Sequence, residues 1–313
     1  MIAPLQGLHH VTATVDAAQL DIDFCAGALG LRLVKKTVNF DNHHVYHFYY
    51  GDERGTPGTI WTTFPYHGRG VRVGTKGAGQ VTTTSFSIPS TALAFWERRL
   101  NERGIAVSAR AERFNEESIV ATDPSGLRIE LVGTSDDARD GWSNVVGGEA
   151  AVRGLHSVAM TIRSPEKTLE LMTGLLGFQI VAETPDRIRV GLNGGGPGRN
   201  VDLILAPDAP QAVNGLGTVH HVAFAIPDDE SQRRLREELI GLGYQVTAVM
   251  DRQYFRSIYF REPGGVLFEV ATMAPGFAVD EPVDCLGRDL KLPPWEEPHR
   301  AEIEAGLAPV SLP

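Results

Sequence analysis

One pattern recurs four times along this chain: a short apolar run, a helical stretch that ends near glycine, and then further strand-like runs. The apolar runs begin at Gly7, Gly79, Gly154 and Gly217. The helical stretches that follow are predicted at Asp16–Leu29, Ser90–Arg103, Ser164–Leu176 and Asp228–Leu242. Each unit therefore reads as strand, helix and about three strands, so the repeat predicts an α+β protein built from four βαβββ modules.

The composition excludes several kinds of partner. Lys and Arg number 29 against 39 Asp and Glu, so the net charge is −10, and there is no basic run that would bind nucleic acid or an anionic membrane. The two cysteines, Cys25 and Cys285, have no paired spacing, which argues against a disulfide framework and favours a reducing cytoplasm. No apolar stretch approaches the roughly 20 residues that a membrane-spanning helix needs.

Two His-His pairs lie in matching frames near opposite ends of the chain. His9 and His10 precede one apolar run, His220 and His221 precede another, and Glu269 lies on a later run. The second histidine of each pair, His10 or His221, directly precedes the valine that begins the alternation of apolar and polar residues. Strand alternation points the first histidine to the other side of the pleat, or to the rim of the pocket where the strand twists. His10, His221 and Glu269 would thus hold a divalent metal on one face and leave the other face open.

A module with histidine on its first strand and glutamate on its last resembles the vicinal oxygen chelate superfamily, which includes glyoxalase I, bleomycin-resistance proteins and extradiol ring-cleaving dioxygenases. The resemblance covers about residues 5–275. It implies two cupped, barrel-like mixed β-sheets with helices outside, each made of two modules. We expect the chain to divide into 1–149 with modules one and two, 150–280 with modules three and four, and a C-terminal wrapping tail at 281–313.

Comparison of the four modules decides which of them pair. The first-strand position that holds a metal histidine in modules one and four holds Thr83 in module two and Ser157 in module three. The last-strand position holds, in order, Thr62, Glu130, Asp202 and Glu269. Because both histidines must meet at one ion, module one is predicted to pair with module four, and module two with module three.

Within the superfamily the chain is most similar to bacterial ring-cleaving dioxygenases of the hydroquinone 1,2-dioxygenase type. It matches the pocket of that family at His9, Thr12, His220, Arg252 and Tyr259, and its tail at 291–304 also resembles the end of that family. The resemblance implies that His9 or His220 deprotonates a phenol, and that Arg252 and Tyr259 donate to negative charge that develops on oxygen. The residues alone leave other roles open: an ion pair for Arg252 with Asp251 or Glu262, and ordinary strand packing for Tyr259 and Thr12.

A set of three protein ligands favours a non-haem Fe(II) enzyme, with Mn(II) as a second candidate metal. We expect a ring-cleaving dioxygenase that opens a hydroquinone-type diphenol and incorporates both atoms of O2. A catechol extradiol dioxygenase and a non-redox glyoxalase-like metal lyase stay open as alternatives. Glyoxalase I typically uses four protein ligands, and Thr62 stands where the fourth would be. The expected partners are a small aromatic diphenol and O2, with no nucleic acid and no membrane, and the related proteins predict a homo-oligomer.

A third group of histidines lies in a strand-like run between residues 43 and 50. The run also contains Tyr46, Phe48, Tyr49 and Tyr50, and alternation places His43 and His47 on one face of this strand. The pattern is compatible with an aromatic pocket wall, but it favours half-exposed strand residues.

Overall fold

The computed structural model describes residues 5–313 and contains the four predicted modules. Module one consists of β1 (Gly7–Val15), β2 (Arg32–Asn39), β3 (Asn42–Gly51) and β4 (Ile60–Pro65). Module two consists of β5 (Gln80–Pro89), β6 (Ala111–Arg113), β7 (Glu116–Thr122) and β8 (Arg128–Thr134). Module three consists of β9 (Gly154–Ile162), β10 (Gln179–Thr184), β11 (Arg187–Gly191) and β12 (Asn200–Leu205). Module four consists of β13 (Thr218–Ile226), β14 (Met250–Asp251), β15 (Arg256–Arg261) and β16 (Leu267–Thr272).

A helix follows the first strand of every module. These helices are α1 (Ala18–Ile22, continued by a π-helical segment at Asp23–Ala28), α2 (Leu93–Glu102), α3 (Glu166–Gly174) and α4 (Asp229–Gly241), while α5 (Arg300–Gly306) lies in the tail. Gly30 and Gly104 both adopt a φ of 72° just after the first two helices, a left-handed conformation that glycine takes without a steric cost. No helix in the described part of the chain is long and apolar enough to cross a bilayer.

The strands form two eight-stranded sheets, and each sheet contains two modules. The first sheet has the order β14-β15-β16-β13-β1-β4-β3-β2, and the second has the order β10-β11-β12-β9-β5-β8-β7-β6. At the centre of each sheet the two modules meet through an antiparallel pair, β1 with β13 and β5 with β9. The predicted fold and the pairing of module one with four and two with three are therefore confirmed. Because each sheet combines strands from both sides of residue 150, the division of the chain at that point stays a prediction.

Strand alternation separates the core from the site. On β1, Val11 and Ala13 belong to the apolar core, whereas His10 faces the other side of the sheet. The core continues from one sheet to the other, for example where the rings of Trp61 and Phe86 lie 6.2 Å apart. The convex faces of the sheets thus bury each other, and the concave face of the first sheet is left for polar side chains.

A buried lysine ties the tail to the first sheet. The Lys35 side chain is 0% exposed, and its Nζ donates to Asp280 Oδ1 at 2.6 Å and to Glu281 Oε2. We expect Lys35→Met to lower the free energy of unfolding by about 3 kcal/mol, because two carboxylates would be left without their cation. Urea denaturation measures this loss, and limited proteolysis should cut the tail faster. Unchanged stability and unchanged cleavage would contradict the expectation.

A second buried charge predicts a dependence of stability on pH. Burial raises the pKa of Asp21 from 3.8 to about 7, although Thr63 and Tyr50 donate hydrogen bonds to the carboxylate. The folded state therefore keeps a proton that the unfolded chain loses above pH 4, so this contribution is fully present below pH 4 and is lost as the pH rises through about 7. Relative to Asp21→Asn, the wild type should lose about 4 kcal/mol of stability across that window. A difference between the two proteins that does not vary with pH would rule this out.

Candidate metal centre

Three buried side chains from the two ends of the chain converge on the concave face of the first sheet. His10 lies on β1, His221 on β13 and Glu269 on β16, three neighbouring strands of that sheet. Their exposed fractions are 2%, 6% and 0%. Within residues 5–313 this is the one group of three or more His, Cys, Asp or Glu side chains whose ligand atoms all lie within 4.8 Å of each other.

The distances within this group fit one face of an octahedron. His10 Nε2 lies 3.2 Å from His221 Nε2, and Glu269 Oε2 lies 3.1 and 2.8 Å from these two nitrogens. Three ligands at right angles around an ion, with bonds of about 2.1 Å, would be separated by about 3.0 Å, whereas tetrahedral ligands would be separated by about 3.4 Å. The group therefore matches a facial set of three ligands that leaves the opposite face of the ion open.

Two β-bulges aim the first histidine of each pair at the second. The register of β1 against β13 shifts at His9 and at His220, so neither residue has a partner on the opposite strand. A bulge bends the strand and redirects its side chains. As a result, His9 Nδ1 lies 2.9 Å from His10 Nδ1, and His220 Nδ1 lies 2.7 Å from His221 Nδ1. The bulges bring His220 to the cavity wall, the rim position that the sequence left open, and hold His9 against His10 instead of on the other side of the pleat.

These contacts fix where the ring protons lie. His9 Nε2 must donate to the carbonyl oxygen of Thr272, 3.2 Å away, because a carbonyl only accepts. Burial and the neighbouring His10 lower the pKa of His9 to about 3, so its neutral ring offers Nδ1 as an acceptor for the Nδ1–H of His10. The Nε2 atom of His10 then carries a lone pair. Burial and His221 likewise lower the pKa of His220 to about 3, and His221 can coordinate through Nε2 when its Nδ1–H is the donor of the 2.7 Å contact with His220.

The carboxylate completes this electron-rich group. Glu269 is fully buried, and its Oε2 lies 3.1 Å from Nε2 of His10 and 2.8 Å from Nε2 of His221. The Ser257 hydroxyl donates to Oε1, whereas no protein group in the described residues donates to the buried Oε2. A buried carboxylate oxygen without a donor, facing two nitrogen lone pairs, is a site that fits a cation.

The second sheet places arginine where the first sheet has room for a metal. Glu130 on β8 and Asp202 on β12 hold the positions equivalent to Thr62 and Glu269 in the first sheet, and both are buried. The guanidinium of Arg113 donates to Glu130 at 2.8 and 3.0 Å, and Nε of Arg189 donates to Asp202 at 2.7 Å. The carboxylates of this sheet are therefore already neutralised by protein cations.

A cavity of about 410 Å³ opens over the three candidate ligands. Its wall is largely aromatic, and the ring-bearing side chains that contribute are Phe40, His47, Tyr49, Phe64, Tyr66, His220, Phe255 and Tyr259. A mainly apolar space of this size suits a small aromatic molecule rather than a polymer.

Arg252 and Tyr259 lie on the module-four side of this cavity. Tyr259 is directly opposite Glu269 in the β15–β16 ladder, and its hydroxyl accepts from Arg252 Nε at 3.2 Å. Arg252 also pairs with Asp41 across the cavity mouth, at 3.1 Å, and not with Asp251 or Glu262. Burial, together with the charge of Glu269, raises the pKa of Tyr259, so its phenol keeps a proton to donate. Tyr259 and Asp41 outweigh burial and raise the pKa of Arg252, so this side chain stays charged.

The other predicted pocket residues divide into two groups. His220 lines the cavity, whereas His9 and Thr12 lie behind the wall and are 1% and 0% exposed. Thr12 accepts a hydrogen bond from Thr62 at 3.0 Å, so Thr62 is held by the protein and is not aimed at the ion.

Of the two roles that the sequence leaves open for His47, the structure has the pocket wall, on a side chain that is half-buried. The side chain lines the cavity, while His43 on the same strand bonds to Glu296 in the tail at 2.8 Å. The aromatic run around His47 was the available signal. Which face of β3 lines the concave side of the sheet could not be read from that run, because alternation gives two faces without identifying either one.

Comparison with known proteins extends over the whole chain. The model of the Glyoxalase/Bleomycin resistance protein/Dioxygenase superfamily matches residues 154–270. The chain is 43% identical over 313 residues to "Putative ring-cleaving dioxygenase MhqO" of Bacillus subtilis (strain 168), covering 100% of this chain and 99% of that protein. It is 36% identical over 308 residues to "Chlorohydroquinone/hydroquinone 1,2-dioxygenase" of Sphingobium indicum, covering 96% and 95%. A crystal structure described as a "putative dioxygenase from Bacillus subtilis" superposes with a TM-score of 0.94 at 42% identity, covering 99% of each chain.

Proposed function

The chain belongs to the Glyoxalase/Bleomycin resistance protein/Dioxygenase superfamily, and we propose that it is a ring-cleaving dioxygenase that opens a hydroquinone-type diphenol with O2 at a divalent iron. In this reaction one carbon–carbon bond of the ring breaks, and both atoms of O2 enter the product. Two relatives whose names state ring cleavage or hydroquinone dioxygenation match nearly the full length of the chain, which supports the assignment.

One observation carries the proposal: the facial group of His10, His221 and Glu269 lies at the floor of an aromatic cavity. Two imidazoles and one carboxylate are the ligand set typical of non-haem Fe(II) oxygenases, because three open positions accept both substrate and O2. When bound, such a metal supplies electron transfer between an electron-rich ring and O2. Thr62, held by Thr12 and His47, offers no fourth carboxylate, which weighs against a glyoxalase-like lyase.

The chain's own residues supply orientation and charge. His9 and His220 hold the Nδ1–H groups of the two metal histidines, so they fix both rings and keep Nε2 aimed at the ion. Since His9 is sealed from the cavity, His220 is the histidine of the two that a substrate can contact, and its Nε2–H donates a hydrogen bond there. Arg252 and Tyr259 present donors where a substrate oxygen becomes negative.

The test is anaerobic reconstitution with Fe(II), followed by addition of methylhydroquinone or catechol and measurement of O2 uptake and product absorbance. We expect uptake of one O2 per methylhydroquinone and a slower reaction with catechol. Mn(II) in the same assay identifies the metal that supports turnover. No uptake with any diphenol, together with turnover of a glutathione hemithioacetal, would replace the proposal with the lyase alternative. The homo-oligomer and the cytoplasmic location expected from the sequence stay predictions.

A further inference from the structure

His47 is a cavity-lining imidazole whose ring is held from three sides. It lies on β3, half-buried, with its ring centroid 4.0 Å from that of Tyr49 and 4.2 Å from that of Phe64. Its Nε2 lies 2.8 Å from Thr62 Oγ1. Two aromatic neighbours and one hydrogen bond leave the ring a single orientation, so its remaining nitrogen points in a defined direction.

The hydrogen bonds around Thr62 define which nitrogen of His47 carries the proton. Thr62 donates its only proton to Thr12 Oγ1, 3.0 Å away. The contact with His47 must then run from the Nε2–H of His47 to the oxygen of Thr62. Burial and the surrounding histidines hold the pKa of His47 well below its ordinary value, so the ring is neutral and Nδ1 carries a lone pair. Within residues 5–313 this Nδ1 has no hydrogen-bond partner.

The position of His47 in the sheet sets it apart from the other polar groups of the cavity. Tyr259 lies on β15, next to the strand of Glu269, whereas His47 lies on β3, two strands from β1 on the opposite side. Adjacent strands are about 4.8 Å apart, so His47 begins roughly 10 Å along the sheet from the backbone of His10. The β15 side of the cavity thus offers hydrogen-bond donors, and the β3 side, where His47 reaches back to Thr62 on β4, offers an acceptor.

We propose that His47 Nδ1 accepts a hydrogen bond from the substrate hydroxyl that does not bind the metal, and that this contact selects a para-diphenol over an ortho-diphenol. The inference rests on the proposed function. In an ortho-diphenol both hydroxyls lie on adjacent carbons and point to the metal side. In a para-diphenol the second hydroxyl lies on the opposite carbon, and it needs an acceptor at the far wall because a buried hydroxyl without a partner is costly.

Two substitutions separate the roles of the two ring nitrogens. In His47→Gln the side-chain amide reaches the position of Nε2 and keeps the bond to Thr62, but the acceptor at Nδ1 is lost. In His47→Asn the amide lies near the position of Nδ1 and can restore an acceptor there. His43→Gln is the matched control, because His43 lies on the same strand but bonds to Glu296 outside the cavity.

The first measurement uses the wild-type protein loaded with redox-inert Zn(II) under anaerobic conditions. Nitrogen NMR of the histidine rings should show the His47 Nδ1 resonance moving when hydroquinone is added, and remaining in place with phenol, which lacks the second hydroxyl. An unmoved Nδ1 resonance at saturating hydroquinone would overturn the inference. This readout needs neither turnover nor a correctly folded variant.

The second measurement compares dissociation constants by calorimetry. His47→Gln should weaken hydroquinone binding about tenfold, the effect of one hydrogen bond, and leave phenol binding unchanged. His47→Asn should recover part of the loss, and His43→Gln should bind both ligands like the wild type. Equal losses for phenol and hydroquinone would show a merely structural role and overturn the inference. If the wild type binds no diphenol at all, the proposed function fails, whereas equal hydroquinone binding by wild type and His47→Gln removes only the role of His47.

Discussion

Glu269→Ala should abolish stoichiometric metal binding and reduce ring-cleaving activity to background while the fold persists. Substitutions of groups that merely orient metal ligands already cost 10- to 100-fold in metal affinity, so loss of a ligand should cost at least about 100-fold. The metal-free variant should lose no more than about 2 kcal/mol of stability, since Ser257 is the donor that would be left without an acceptor. Equilibrium dialysis with Fe(II) and thermal unfolding measure the two quantities.

The internal repeat provides a matched control for this experiment. Glu130→Ala removes the glutamate that holds the corresponding last-strand position in the second sheet, where Arg113 neutralises it. This variant should keep one metal per chain but lose about 3 kcal/mol of stability, because Arg113 loses its two hydrogen bonds to Glu130 and keeps only Asp202, and the hydroxyls of Ser85 and Ser118 lose their acceptor. Glu269→Ala should therefore lose the metal and keep most of its stability, whereas Glu130→Ala should keep the metal and lose stability. Full iron binding by Glu269→Ala, or loss of iron by Glu130→Ala, would contradict the assignment of the site to the first sheet.

Arg252→Met should lower kcat about 100-fold, the effect of removing one donor from a site where negative charge develops. Methionine has a similar length but neither the charge nor the hydrogen bond to Tyr259. The kcat of Arg252→Lys should lie between those of the wild type and Arg252→Met, since lysine restores a charge without the planar group that contacts the Tyr259 hydroxyl. Steady-state O2 uptake with the iron-loaded proteins measures the effect.

Arg256→Met is the control for Arg252→Met. Arg256 lies four residues further on, and its pair with Asp229 is on the surface, with about half of each side chain exposed. A surface pair of this kind contributes about 0–1 kcal/mol, so kcat should stay within a factor of two of the wild type. A kcat of Arg252→Met that also stays within that range would remove Arg252 from the proposed mechanism.

The repeat made the fold and the convergence of the two chain ends predictable. Thr83 and Ser157 can be rejected as ligands from their place in the repeat alone, and this predicts that module one packs against module four. The register supports the frame, since Thr12 pairs with Thr62 in module one as Ala223 pairs with Glu269 in module four. Positions related by a repeat occupy equivalent places because the same backbone hydrogen bonds recur, and sequence spacing alone carries that information.

Features that depend on contacts between modules could not be predicted in the same way. The bulges at His9 and His220 arise from the pairing of β1 with β13, two strands that are remote in sequence. Asp41, the partner of Arg252, lies on the turn between β2 and β3 and is remote from Arg252 in the sequence. The inward face of β3, and with it the place of His47, is set by how the sheet curves around the cavity and not by the alternation of the strand itself.

The pairing of the first module with the last sets an order of events during synthesis. β1 leaves the ribosome with one edge unpaired, and its partner β13 follows β4 by about 150 residues, which takes roughly 10 to 30 s at ordinary rates of translation. The second sheet can close during this time, because all its strands lie between β4 and β13 in the sequence. The nascent first module therefore exposes an unpaired strand edge until β13 has emerged. A metal ion cannot be held by the full candidate ligand set before Glu269 has emerged, so we expect metal loading to be a late step.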